Sequence, residues 1–349
     1  MRFVATKFAC LLVALAYCAS AQAFDNSAAL LRGNAFVGAR VNHKPGNIAG
    51  QIDKPFGDPL TAPLGLAPLE RTLFADLAQG RLEHYSLLEA ALVASGVKDL
   101  SALDQYDRKF SAVRDEVRQQ LANLSGGTPD EIERQIKQIH FLLHQRLLAG
   151  GYDANATNLG ETLDTGVYNC ASATLLFVAL ASDLGLQAGA VELPGHVRAV
   201  VTCGREQFEI EVTCPQWPQA MRRTAVQTAS VDNTGASAGL QTDGQRPVSW
   251  FGLIAMIYYN RGVDAFQNRQ FAAAIAANRR ALLLDSANQT ARGNLLAAVN
   301  NWALALCDAG DYAEAEALLT AGRKFDPAHQ PFIHNAAHVE HQWAQAQAA

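Results

Sequence analysis

The tightest constraint on this chain is a stretch that a helix cannot show to water. From Ala171 to Leu186 there is a single charged side chain, Asp183. No polar face can be drawn through Leu175-Leu176-Phe177-Val178-Ala179-Leu180, so the predicted helix has to be enclosed on all sides. Asn169 just before it is a favoured N-cap type, and Gly185 suits its end. The run is too short to span a bilayer, and no later segment stays apolar for the ~18 residues a span needs. The rest of the chain must therefore build a core around this helix.

Cys170 occupies the first turn of that helix. A free thiol is mostly protonated at neutral pH, with a pKa near ~8.5. The unpaired N–H groups and partial positive charge of a helix N-terminus favour the thiolate. The N–H of Cys170 is also placed to help bind an oxyanion. The competing reading is a half-cystine or an inert core thiol. Two of the six cysteines lie in the first 23 residues, leaving Cys170, Cys203, Cys214 and Cys307 with three possible pairings. Cys203 and Cys214 fall at opposite ends of one predicted hairpin and should not pair within it.

That hairpin follows the helix. Pro194-Gly195-His196 leads into a β-branched run, Val197 to Thr202, and Gln207 to Thr213 is similar, with Gly204-Arg205 a predicted turn. A two-residue turn pairs Cys203 with Glu206, and the neighbouring register pairs Thr202 with Arg205. In both, His196 and Glu211 share a face, opposite or diagonal, within hydrogen-bond reach. Glu209 has the same parity and is the reserve. A carboxylate on one imidazole nitrogen fixes the tautomer and stabilises the imidazolium. The order of parts is that of a Cys-His-Asp/Glu hydrolase or acyltransferase.

Asn169-Cys170-Ala171-Ser172, the apolar helix ending Gly185-Leu186, Pro194-Gly195-His196-Val197 and Ile210-Glu211-Val212-Thr213 together resemble the core of the transglutaminase-like superfamily, over roughly Ser86 to Pro215. The resemblance implies a papain-like fold in which Cys170 is the nucleophile, His196 the base and Glu211 the third member. It also matches a bacterial branch with a helical N-terminal half. Glu stands where Asp is commoner, and some members of that branch have lost the Cys. Tyr168 and Asn169, next to the nucleophile, are the expected substrate-contacting residues. No cofactor is called for.

The flanking chain sets the organisation. Residues 1–23 resemble a signal peptide: Arg2 and Lys7, an apolar run from Phe8 to Tyr17, and Ala21-Gln22-Ala23 as a small-x-small cleavage site. This predicts a periplasmic or secreted protein with no transmembrane segment once cleaved. Removing Arg2 and Lys7 takes the formal charge from −5 to −7. That acidic balance, without a basic tract, argues against nucleic acid. Residues 24–68 hold five of the twelve prolines and read as an extended arm.

Residues 69–150 have helical periodicity, with capping patterns at Ser86-x-x-Glu89, Ser101-x-x-Asp104 and Thr128-Pro129-x-Glu131. Leu103, Tyr106, Phe110, Val113, Val117 and Leu121 form one predicted stripe; Ile132, Ile136, Ile139, Leu143 and Leu147 form another. His140 and His144, four apart, are read as a satisfied or solvent-facing pair in preference to a metal pair. Residues 151–215 hold the catalytic core, with Tyr152 to Tyr168 as a loop beside Cys170. Residues 216–250 read as a polar loop.

From residue 251 to 349 the pattern changes. Phe271, Ala274 and Asp285, then Tyr312, Ala315 and Asp326-Pro327, resemble tetratricopeptide repeats. Phe271 and Tyr312 are 41 residues apart, against a period of about 34, so an expanded connection is expected near Asp285 to Gly293. Such pairs bind a peptide or protein, or serve as a structural add-on. His334, His338 and His341 share a helical face, a possible metal cluster. The fold class expected is α+β: a papain/transglutaminase-like domain over 69–250 and an all-α repeat domain over 251–349. The partners expected are a protein or peptide substrate and a protein on the repeats.

Overall fold

A computed structural model describes residues 57–122, 127–216, 221–225, 230–231, 237–238 and 245–348. The signal segment, most of the proline-rich arm and much of the stretch 226–244 lie outside the described residues. The chain is mixed α+β, with an antiparallel sheet and a helical C-terminal part. It divides into two compact units: Leu66–Ile257, and Tyr258 onward together with residues 57–65. Among the described residues no helix is long and apolar enough to cross a membrane.

The first unit begins with four helices: α1 (Pro68–Gln79), α2 (Leu87–Ser95), α3 (Leu100–Gln120) and α4 (Pro129–Arg146). Two start at the expected capping boxes. Ser86 Oγ accepts from Glu89 N while Glu89 Oε2 accepts from Ser86 N, and Thr128 and Glu131 repeat the exchange. The third starts earlier than expected. Asp99 caps α3 by accepting from Ala102 N, which leaves Ser101 inside the first turn. Both predicted stripes are buried, except that Tyr106 is half-buried and donates its hydroxyl to Asp164.

The expected loop from 152 to 168 is more ordered than its composition suggested. It contains β1 (Gly151–Tyr152), α5 (Leu159–Thr165) and β2 (Val167–Tyr168), with β1 and β2 parallel. Gly166 has φ +76°, and a Cβ on Gly150 would lie 2.6 Å from the Gly166 backbone. Only glycines let these two backbones touch. The contact sets Tyr152 beside Tyr168, ring centroids 6.0 Å apart.

Next comes α6 (Cys170–Asp183), buried at every position from Ala171 to Ala181. It ends where expected: the N–H groups of Gly185 and Leu186 close on the carbonyls of Ser182 and Ala181. One side packs on α4 and α2, the other on the sheet. Each fully buried Leu, Phe or Val contributes roughly 2 kcal/mol of hydrophobic free energy. This helix carries five in a six-residue window, Leu175 to Leu180.

The sheet has five antiparallel strands in the order β6-β5-β4-β3-β9: β3 (Gln187–Leu193), β4 (His196–Cys203), β5 (Glu206–Ile210), β6 (Met221–Ala225) and β9 (Arg246–Val248). A separate two-stranded pair, β7 (Ser230–Val231) with β8 (Ser237–Ala238), lies between β6 and β9 in the chain. The β4–β5 turn takes the first of the two registers, Cys203 opposite Glu206 through Ala199 opposite Ile210. The stretch 216–250, expected as one polar loop, instead supplies both edge strands of the sheet. Salt bridges hold these edges. Arg246 pairs with Glu192, and Arg222 with Glu209; Arg223 reaches Glu206 and, on α4, Asp130.

The second unit is built on a period of 41 residues. Helices α8 (Phe271–Leu284) and α10 (Tyr312–Phe325) have the same length, and α9 (Gln289–Asp308) and α11 (Gln330–Ala348) start 41 residues apart. They follow α7 (Trp250–Gln267), within which the units divide. The connection Asp285 to Asn288 is short, and Gly293 lies inside α9, so the added length over the expected period is helix and not loop. Equivalent aromatics stack in both pairs, Phe271 on Trp302 and Tyr312 on Trp343, each with centroids 6.4 Å apart. A Cβ on Gly322 would fall within 3 Å of the Phe332 ring. The corresponding positions of the first pair hold Ala281 and Ala291, so volume removed from one helix is restored on the next. The described end of the arm belongs to this unit. Leu60 joins its core, and Arg279 and Arg280 donate to the carbonyls of Pro59, Ala62 and Leu64.

Candidate active site

The start of α6 is fixed by a reciprocal cap. Asn169 Oδ1 accepts from Ser172 N at 2.9 Å, and Ser172 Oγ accepts from Asn169 N at 3.0 Å. Two residues further, Thr174 donates its hydroxyl to the carbonyl of Val197 at 3.3 Å. This bond ties the first turn of α6 to the start of β4, where His196 lies. Cys170 is therefore held at N1, with its N–H among those that have no intrahelical acceptor.

The three residues expected to act together are brought together. Cys170 interacts with the His196 imidazole and favours its protonated form. His196 Nε2 donates to Glu211 Oε2 at 2.7 Å, with both side chains 19% exposed. Because Nε2 is engaged by the acid, Nδ1 is the nitrogen left for the thiol. Glu211 lies one residue past β5, and continuing the β4–β5 register sets it opposite Arg198, with His196 on the diagonal. All four of its near contacts are used. Oε2 takes His196 and, at 3.0 Å, Arg198 Nε; Oε1 takes the hydroxyl and N–H of Thr213 at 2.5 and 3.3 Å. Glu209, the reserve acid, is occupied elsewhere, accepting from Arg222 through both oxygens at 2.9 Å.

The electrostatics follow from this wiring. Burial works to lower the His196 pKa, but the interaction with Cys170 and the hydrogen bond to Glu211, with the charges of both, outweigh it and raise the imidazole to about 10. Burial works to raise Glu211; the bond to His196 and its charge, the Thr213 hydroxyl and the charge of Arg198 bring the carboxyl down to about 2. The arrangement is an imidazole with a strong hold on a proton, placed between a thiol and an ionised acid.

Tyr168 and Asn169, expected to touch substrate, are 2% and 4% exposed. Asn169 spends its carbonyl on the cap, and Tyr168 donates its hydroxyl to the carbonyl of Thr213 at 3.2 Å. Their contribution here is to hold the nucleophile's helix. Tyr152 is the half-buried ring nearer the chemistry. Burial and the charges of Cys170 and Glu211 push its phenol well above the usual range, so it stays a donor. The sequence placed Tyr152 in the loop beside Cys170 but did not single it out.

All four described cysteines, Cys170, Cys203, Cys214 and Cys307, are free thiols, so the half-cystine reading finds no partner among them. Among the described residues no three His, Cys, Asp or Glu side chains converge as a metal site, His334, His338 and His341 included.

The fold and site define a class: a mixed α+β chain with a Cys–His–Glu constellation where a buried helix meets one end of an antiparallel sheet. Beyond that class no relative is at hand. Neither the family models, nor the curated proteins, nor the solved structures compared with this chain gave a match.

Proposed function

We propose that this protein is an extracytoplasmic cysteine-dependent hydrolase or acyltransferase of transglutaminase-like, papain-like fold, with a tetratricopeptide-like helical unit. It acts on amide, peptide or isopeptide bonds. With the proton shared between Cys170 Sγ and the imidazole resting on His196, the sulfur attacks the carbonyl carbon. The tetrahedral oxyanion meets the N–H of Cys170 at the helix N-terminus. His196 returns the proton to the leaving amine as the C–N bond breaks, leaving a thioester. Water or an amine then attacks the thioester and releases the sulfur. Glu211 keeps the imidazole in the required tautomer throughout. The periplasmic or secreted address in this reading rests on the sequence of residues 1–23.

The observation that carries the proposal is the 2.7 Å contact of His196 with Glu211, with Cys170 acting on the same imidazole from the helix N-terminus. Exposure to an activated ester such as p-nitrophenyl acetate should leave an acetyl group on Cys170, seen by mass spectrometry of the folded protein. Cys170→Ser and His196→Ala should abolish it. A second reading, an inactive scaffold whose helices hold a protein partner, draws on the two matched helical pairs of residues 271–348. It is what remains if Cys170 takes no acyl group.

A further inference from the structure

We propose that His140, His144 and Tyr168 act as a positioning clamp on the acid of the site. They hold the three consecutive carbonyls that follow Glu211 and so fix where its carboxylate meets His196. The inference rests on the catalytic reading above.

Glu211 needs such support. The β4–β5 ladder ends at Ala199 opposite Ile210, so no strand pairing holds the residue that carries the acid. The backbone beyond it is instead gripped from the helical side. His144 Nε2 lies 2.9 Å from the carbonyl of Val212, the Tyr168 hydroxyl 3.2 Å from that of Thr213, and His140 Nε2 2.9 Å from that of Cys214. A carbonyl only accepts, so both imidazoles must carry their proton on Nε2. The middle residue of the three closes the loop, since Thr213 itself binds Glu211 Oε1.

The three rings form a continuous row, 4.6 Å from His140 to His144 and 5.6 Å from His144 to Tyr168. Tyr168 is two residues before Cys170, so one row of rings fixes both the strand that leads into the nucleophile's helix and the acid's turn. His140 is 1% exposed. Burial, and then the charge of His144, push it down to about 4, which keeps it neutral at working pH. Arg134 and Lys137, on α4, line an open groove of about 820 Å³ with these two histidines, with no carboxylate in its lining. The side chain of a Glu has one more free torsion than that of an Asp, and a bond chain ending on Oε1 removes that freedom.

The test is the titration of the His196 imidazole by NMR in the full chain, alongside urea unfolding. His144→Leu and Tyr168→Phe should lower the His196 midpoint by about one pH unit, a tenfold change in its ionisation equilibrium, toward the value of Glu211→Gln. His144→Gln, which keeps a donor near the Nε2 position, should restore it. If His144→Leu does not fold, Tyr168→Phe, which removes one oxygen atom, decides. Folded variants of lowered stability with an unchanged His196 midpoint would overturn the clamp. An unreactive Cys170 in the wild type overturns the catalytic reading instead, and leaves this titration readable.

Discussion

His196 and Glu211 meet diagonally across β4 and β5, Nε2 to Oε2 at 2.7 Å, while Arg198 stands directly opposite the acid in the continued register. Arg198 Nε reaches the same oxygen at 3.0 Å. The acid is therefore shared between an imidazole and a guanidinium. The guanidinium keeps Glu211 ionised whatever the state of the imidazole.

Removing the acid's charge should release the imidazole. In Glu211→Gln the His196 midpoint should fall from about 10 toward its ordinary value, because one of its two partners no longer attracts a proton. An NMR titration comparing the two proteins measures this. A midpoint that does not move would mean that the carboxylate does not hold the ring.

The same ionisations shape stability. His196 titrates at about 10 when folded and near 6.5 when unfolded; its contribution is whole below pH 6.5 and is lost as pH rises toward 10. Glu211 falls from 4.5 to about 2 on folding, so its contribution is whole above pH 4.5 and is lost as pH drops toward 2. His140 falls from 6.5 to about 4, so its contribution is whole above pH 6.5 and is lost between 6.5 and 4. Urea midpoints should peak near neutral pH. Glu211→Gln should flatten the alkaline side, and His140→Asn the slope between pH 6.5 and 4.

Loss of the cap should weaken the whole core, because α6 packs on helices and sheet alike. Ser172→Ala and Asn169→Ala each delete one side of a buried reciprocal pair and should cost about 1–2 kcal/mol in urea unfolding. The two substitutions delete different bonds of the pair, so the double variant should cost about the sum, and any departure from it measures their coupling.

In the helical unit, Gly322→Ala should destabilise by about 1–3 kcal/mol, since its methyl group would enter the Phe332 ring. Combining it with Phe332→Leu should recover part of the loss. Thermal melting of the three variants measures the coupling.

What the sequence disclosed was local. The apolar run named the central helix, the Ser86 and Thr128 boxes named two helix starts, and the predicted Gly204-Arg205 turn narrowed the hairpin to two registers, of which the structure takes Cys203 opposite Glu206. Strands that obey no local rule were missed. The stretch Gln187–Leu193 follows an apolar helix with little to mark the change. Met221-Arg-Arg-Thr-Ala is an edge strand whose arginines pair with acids of β5 and α4, and Arg246-Pro247-Val248 is an edge where proline is tolerated. The cap of α3 is Asp99, two residues before the Ser101 pattern, because a second short acceptor upstream of a capping box is not ranked by local sequence alone. The sequence allows a satisfied or solvent-facing pair at His140 and His144 but cannot name the acceptors, since the carbonyls of Val212 and Cys214 are 68 and 74 residues away in the chain.

The central claim is that Cys170 is a primed nucleophile. The most direct measurement is the rate of its alkylation by iodoacetamide in the folded protein between pH 6 and 9, with Cys203, Cys214 and Cys307 as internal references. The account predicts that Cys170 is modified fastest, remains reactive at pH 6 to 7, and slows at least tenfold in His196→Ala. A Cys170 that reacts no faster than Cys203 and Cys214, with a rate that falls at acidic pH like that of an ordinary thiol and ignores the loss of His196, would contradict it.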